Sequence, residues 1–101
     1  MMKRHYLPGD VVIRQGEIGH ELFLVSDGSV KVERSGQEVA RLGPGEFFGE
    51  LALLSGNPRN ADVIATGPLE TYVLGESDFR IAMDQSESFR DQLRRVYFLR
   101  H

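Results

Sequence analysis

Glycine and proline interrupt the first three quarters of this 101-residue chain every few residues, so no long regular element fits there. Turn signals stand at Pro8-Gly9-Asp10, Gly16 to Gly19, Asp27-Gly28, Ser35-Gly36, Gly43-Pro44-Gly45, Gly56-Asn57-Pro58 and Gly67-Pro68. Short apolar or alternating runs lie between them: Val11 to Ile13, Leu22 to Val25, Val30 to Glu33, Glu38 to Leu42, Ala61 to Ala65 and Thr71 to Leu74. Runs of this length, rich in β-branched and aromatic residues and bounded by turn residues, read as strands. Asp27-Gly28 between two of them predicts a hairpin, because a primed turn needs the positive φ these residues tolerate. The spacing predicts a mainly β fold, an antiparallel jelly-roll β-roll over about residues 5–75.

Two stretches break the rhythm. Gly49-Glu50-Leu51-Ala52-Leu53-Leu54 is rich in helix formers but too short for an independent helix, so it predicts a turn or two of helix inserted between strands. From Ser77 to His101 there is neither glycine nor proline, and the pattern becomes helical. Phe79, Ala82 and Met83 fall on one face, and Phe89, Leu93, Val96 and Tyr97 on another. Ser77 and Ser86 are candidate N-caps, the second dividing a tail over about 77–101 into two helices. With no repeat, linker or low-complexity segment, residues 1–101 read as a single domain.

Composition removes several kinds of chemistry. There is no cysteine, which excludes disulfides, thiolate nucleophiles, iron–sulfur ligation and cysteine-held zinc, and which suits a cytoplasmic setting. A net charge of −3 argues against a protein that coats nucleic acid. No run approaches the roughly 20 apolar residues of a membrane span, so no membrane segment is expected in this chain, and the start does not read as a signal peptide. His5, His20 and His101 match no metal-ligand spacing.

The chemistry gathers in Gly45-Glu46-Phe47-Phe48-Gly49-Glu50-Leu51-Ala52-Leu53-Leu54 and the following Pro58-Arg59-Asn60-Ala61. A glycine opening a short helix lets backbone N–H groups converge on an anion, and the helix dipole favours negative charge there. After the turn at Gly56-Asn57-Pro58, Arg59 can return toward that helix start, where a guanidinium gives phosphate two parallel charge-assisted hydrogen bonds. Glu50 suits such a site if it accepts a hydrogen bond from a ribose hydroxyl. On this reading Arg59 faces a ligand and no core.

At these residues the sequence resembles the cyclic nucleotide-binding domain family. Residues 48–54, Phe-Gly-Glu-Leu-Ala-Leu-Leu, with Pro58-Arg59-Asn60-Ala61 look like that family's phosphate-binding cassette. Pro8-Gly9-Asp10, Gln15-Gly16-Glu17, Leu22-Phe23-Leu24-Val25 and Gly28-Ser29-Val30-Lys31-Val32 look like its other landmarks. The resemblance implies that Glu50 takes the ribose 2′-hydroxyl and Arg59 the cyclic phosphate. Backbone amides around Gly49, Leu51, Ala52 and Ala61 complete the phosphate cradle. Asn60 departs from the family's usual alanine, serine or threonine at a position tied to purine choice. Without a hydroxyl there, cAMP is favoured over cGMP as the ligand. The family's final helix closes over the base; Tyr97 and Phe98 are the candidates for a lid, although the stripe from Phe89 to Tyr97 reads first as packing. The tail is short for that helix, and the helix expected before the roll is not in the chain.

The function expected is binding of a cyclic nucleotide monophosphate as a regulatory sensor module, coupled to an effector domain outside this chain. The C-terminal tail is the natural moving part, packed on the cassette through Leu54 and Phe89. An enzyme is not expected, nor any cofactor or metal. A metal-dependent cupin needs clustered histidines, and Ser55 or Ser77 has no evident histidine partner for nucleophilic catalysis. Direct nucleic-acid binding is not expected, because the chain ends before a helix-turn-helix module could fit. The alternative is a degenerate, ligand-free β-roll interaction domain, with Glu50 and Arg59 no more than a surface ion pair. On either reading the tail arginines Arg90, Arg94, Arg95 and Arg100 are a solvated face.

Overall fold

The structure, a computed structural model, describes residues 2–49 and 58–91. Among these the strands, in chain order, are β1 Met2–Tyr6, β2 Val11–Ile13, β3 Glu21–Asp27, β4 Val30–Arg34, β5 Gln37–Leu42, β6 Phe47–Phe48, β7 Asp62–Ala65 and β8 Leu69–Gly75. Helix α1, Glu76–Gln85, follows, and residues 87–91 are helical again. The strands form two four-stranded antiparallel sheets, ordered β1-β8-β3-β6 and β2-β7-β4-β5.

The alternation along the strands builds the core between the sheets. Phe23, Val25, Phe48, Leu69 and Val73 of the first sheet meet Ile13, Val30, Leu42, Val63 and Ala65 of the second, all buried. Phe23 and Phe48, opposite each other in the β3–β6 ladder, stack with ring centroids 4.9 Å apart. Leu22 and Leu74 point to the other face of the first sheet, where Phe79 of α1 covers them and Ala82, Met83 and Phe89 pack alongside. That second packed face explains why Leu22 and Phe23 are adjacent in sequence and both buried.

Several expectations are corrected by pairing that composition does not reveal. Asp27-Gly28 is not a hairpin: β3 pairs with β8 and β6, while β4 pairs with β5 and β7 in the other sheet. The two residues form a corner where the chain changes sheets. Gly28 (φ +87°) packs so tightly on the 66–68 loop that a Cβ there would meet the Pro68 carbonyl. The hairpin turn is Ser35-Gly36, both at positive φ (53° and 82°), between β4 and β5.

Strand β1, which begins at Met2 rather than near residue 5, lacks an apolar alternation because it is an edge strand beside β8. Polar pairs accompany its ladder: Lys3 Nζ lies 3.1 Å from Glu70 Oε1, and Arg4 Nη2 donates to Glu21 Oε2 at 2.9 Å. Hydrogen bonds from Lys3 and Ser26 hold the Glu70 carboxyl below the usual carboxylate range.

Ser77 is not the N-cap of α1, which starts at Glu76 after Gly75 without a side-chain cap. Glu76 and Asp78 in the first turn complement the helix dipole instead. Ser86 does separate the two helical stretches, and its Oγ accepts the Phe89 N–H at 3.1 Å.

Candidate functional site

Arg59 sits two residues before Ala61, and Ala61 leads directly into β7. The turn between β2 and β3 fixes its backbone on both sides. Gly16 N–H donates to the Arg59 carbonyl at 2.7 Å, and Arg59 N–H donates to the Glu17 carbonyl at 2.7 Å. The side chain is buried, with the residue 7% exposed. Nη1 donates to the Gly49 carbonyl at 2.7 Å and Nη2 to the Glu21 carbonyl at 2.8 Å. The guanidinium thereby ties the start of β3 to the residue that follows β6.

A buried guanidinium needs such acceptors, since leaving charged donors without partners costs far more than the net gain from making the bonds. Two carbonyls from different segments also fix the plane of the fork, and with it the direction in which it can present hydrogen bonds. The expectation that Arg59 faces no core is therefore corrected: it is a buried brace. Its side chain is not on the surface, and Glu50, the partner in the ion-pair alternative, lies outside the described residues.

Gly49 stands next to the guanidinium with φ +87°, a conformation that favours glycine, and a Cβ there would come within 2.9 Å of Nη1 and 3.0 Å of the Glu21 carbonyl. The structure thus brings Gly49 and Arg59 together, as the sequence predicts. Asn60, exposed, and Ala61, buried, follow Arg59 in the alternation that enters β7. Glu50, Leu51, Ala52 and Leu54, and Tyr97 and Phe98, lie outside the described residues. Phe89 makes edge contacts with both Phe79 and Phe47, ring centroids 6.0 Å apart in each case, so the second helical stretch packs two residues from Gly49.

Sequence reasoning missed the partners of Arg59. Glu21 contributes its carbonyl while its carboxylate turns to Arg4, and Gly19 packs against the guanidinium. The cluster of turn residues at Gly16 to Gly19 is the one signal that could have pointed there. Among the described residues no group of three His, Cys, Asp or Glu side chains gathers as a metal site. No helix among them is long and apolar enough to cross a membrane.

Residues 3–86 match the family model of the cyclic nucleotide-binding domain. The chain belongs to that family. Over 94 residues it is 37% identical to a cAMP-dependent protein kinase regulatory subunit of Hypocrea atroviridis, covering 93% of this chain and 20% of that protein. The crystal structure of the Thermus thermophilus catabolite activator protein superposes with a TM-score of 0.89 at 33% identity, over 98% of this chain and 49% of the other. The regulatory subunit of a cAMP-independent protein kinase A from Trypanosoma brucei superposes at 0.79 with 31% identity, over 82% of this chain and 31% of that one. The chain thus spans a fifth to a half of the length of these relatives. Its two antiparallel sheets and their closing helix are the β-roll of the family.

Proposed function

We propose that this chain binds a cyclic nucleotide monophosphate, cAMP in preference to cGMP, and acts as the sensor module of an effector carried outside it. The observation that carries the reading is Arg59: a buried guanidinium oriented by two carbonyls beside a positive-φ glycine, in the segment that resembles the family's cassette. Its five N–H donors allow it to hold backbone oxygens and phosphate oxygens together. Arg59 takes the cyclic phosphate, with backbone amides around Gly49, Leu51, Ala52 and Ala61. Glu50 takes the ribose 2′-hydroxyl, and Tyr97 and Phe98 are the lid over the base.

A ligand shifts the sensor only through different affinity for its two conformations. The contact available for this is Phe89 on Phe47, which joins the tail to the strand entering the cassette.

The purine preference rests on Asn60, exposed beside Arg59 and without a hydroxyl. Competition between cAMP and cGMP on the wild type and on Asn60→Ala tests it. cAMP should compete better on both, by a modest factor, since one polar contact decides about 1–3 kcal/mol. A wild type that prefers cGMP, with the preference lost in Asn60→Ala, overturns the assignment. The cAMP-independent description of the Trypanosoma brucei relative favours a second reading, a β-roll that binds no cyclic nucleotide. Absence of competition by either nucleotide would select it.

A further inference from the structure

The segment between β2 and β3, together with the first residue of β3, meets Arg59 at four places. Gly16 N–H and the Glu17 carbonyl hold its backbone, the Glu21 carbonyl holds Nη2, and Gly19 lies against the guanidinium. Most glycines with positive φ in the described residues have open space where a Cβ would stand, so their role is the backbone conformation. Gly19 is the reverse case. Its φ is not in the left-handed region, so an L-residue fits the backbone, yet a Cβ would stand 2.0 Å from Nε and 2.3 Å from both Cζ and Nη2 of Arg59. The three nearest atoms are all side-chain atoms of that one residue.

We infer that Gly19 is a positioning residue for Arg59: its missing side chain is the slot in which the guanidinium lies, aimed at the ligand. This rests on the assignment of Arg59 to the phosphate. A methyl group at position 19 would not bar the β2–β3 turn. It would push the guanidinium off the Gly49 and Glu21 carbonyls, to which it is held at 2.7 and 2.8 Å. The consequence is a folded chain whose arginine is misdirected, because hydrogen bonds weaken steeply with misalignment.

The test is a double-mutant cycle with Gly19→Ala and Arg59→Ala, read by cAMP affinity and by thermal midpoint. Gly19→Ala should weaken cAMP binding at least about tenfold when Arg59 is present. On the Arg59→Ala background the same change should alter neither affinity nor midpoint, since the obstructed group is gone. A role in the turn alone would lower both readouts equally on the two backgrounds, and that result overturns the inference, as does wild-type affinity in Gly19→Ala. If Gly19→Ala does not fold, folding of the double variant supports the inference and its failure to fold overturns it. If Arg59→Ala binds cAMP like the wild type, or the wild type binds none, the phosphate assignment falls. The midpoint cycle then still decides whether Gly19 makes room for Arg59.

Discussion

Two buried polar side chains, Arg59 and Thr71, show opposite solutions to the same problem. Arg59 is satisfied by backbone carbonyls, so Arg59→Ala should cost stability as well as affinity. Loss of a charged donor from buried carbonyls is worth about 1–3 kcal/mol, seen as a lower urea midpoint at unchanged slope. Thr71 is 0% exposed and its Oγ1 has no hydrogen-bond partner among the described residues. Thr71→Val keeps the β-branched shape and removes that hydroxyl, so it should raise stability by about 1 kcal/mol or more. An unchanged or lower midpoint would mean the hydroxyl is satisfied in solution. The sequence marks Arg59 plainly, because a guanidinium after a glycine-led segment has a chemical meaning. It cannot mark the Gly49 and Glu21 carbonyls as partners, since every residue carries one, nor the space that Gly19 leaves.

Elements were legible where burial imposes a period. β7 alternates because one face meets the core, β3 and β8 carry adjacent apolar residues because α1 packs on their second face, and all three runs stand out between turn residues. β1 did not stand out, because an edge strand whose neighbours are Glu70 and Glu21 is charged instead of apolar. β6 has two residues and no period to read. The Asp27-Gly28 corner was misread because local turn chemistry states the sign of φ and says nothing of which sheet the next strand joins. That corner carries a prediction of its own. Gly28→Ala places a Cβ at positive φ and 2.3 Å from the Pro68 carbonyl, a backbone atom with little room to yield. It should destabilise by more than the roughly 1 kcal/mol that a strain-free replacement of glycine by alanine gains. A midpoint within error of the wild type would contradict the corner as described.

The whole molecule is two sheets held face to face by an apolar core, with polar pairs at the rim and Arg59 at the junction of three segments. The rim should set part of its acid stability. Glu70 is held below its ordinary range by Lys3 and Ser26, so its contribution is present at neutral pH and is lost as pH falls through the folded value. Wild-type stability should therefore drop as pH falls below the ordinary carboxylate range, and Glu70→Gln should drop less over the same interval. Parallel curves would show that the pair contributes nothing. Calorimetric titration of cAMP into the wild type and into Arg59→Lys tests whether this roll holds a cyclic nucleotide through Arg59. Lysine keeps the charge but cannot present a planar fork. Binding by the wild type, weakened about tenfold or more in a variant that circular dichroism shows to be folded, is the predicted result. No binding by the wild type, or equal affinity in the two proteins, would contradict it.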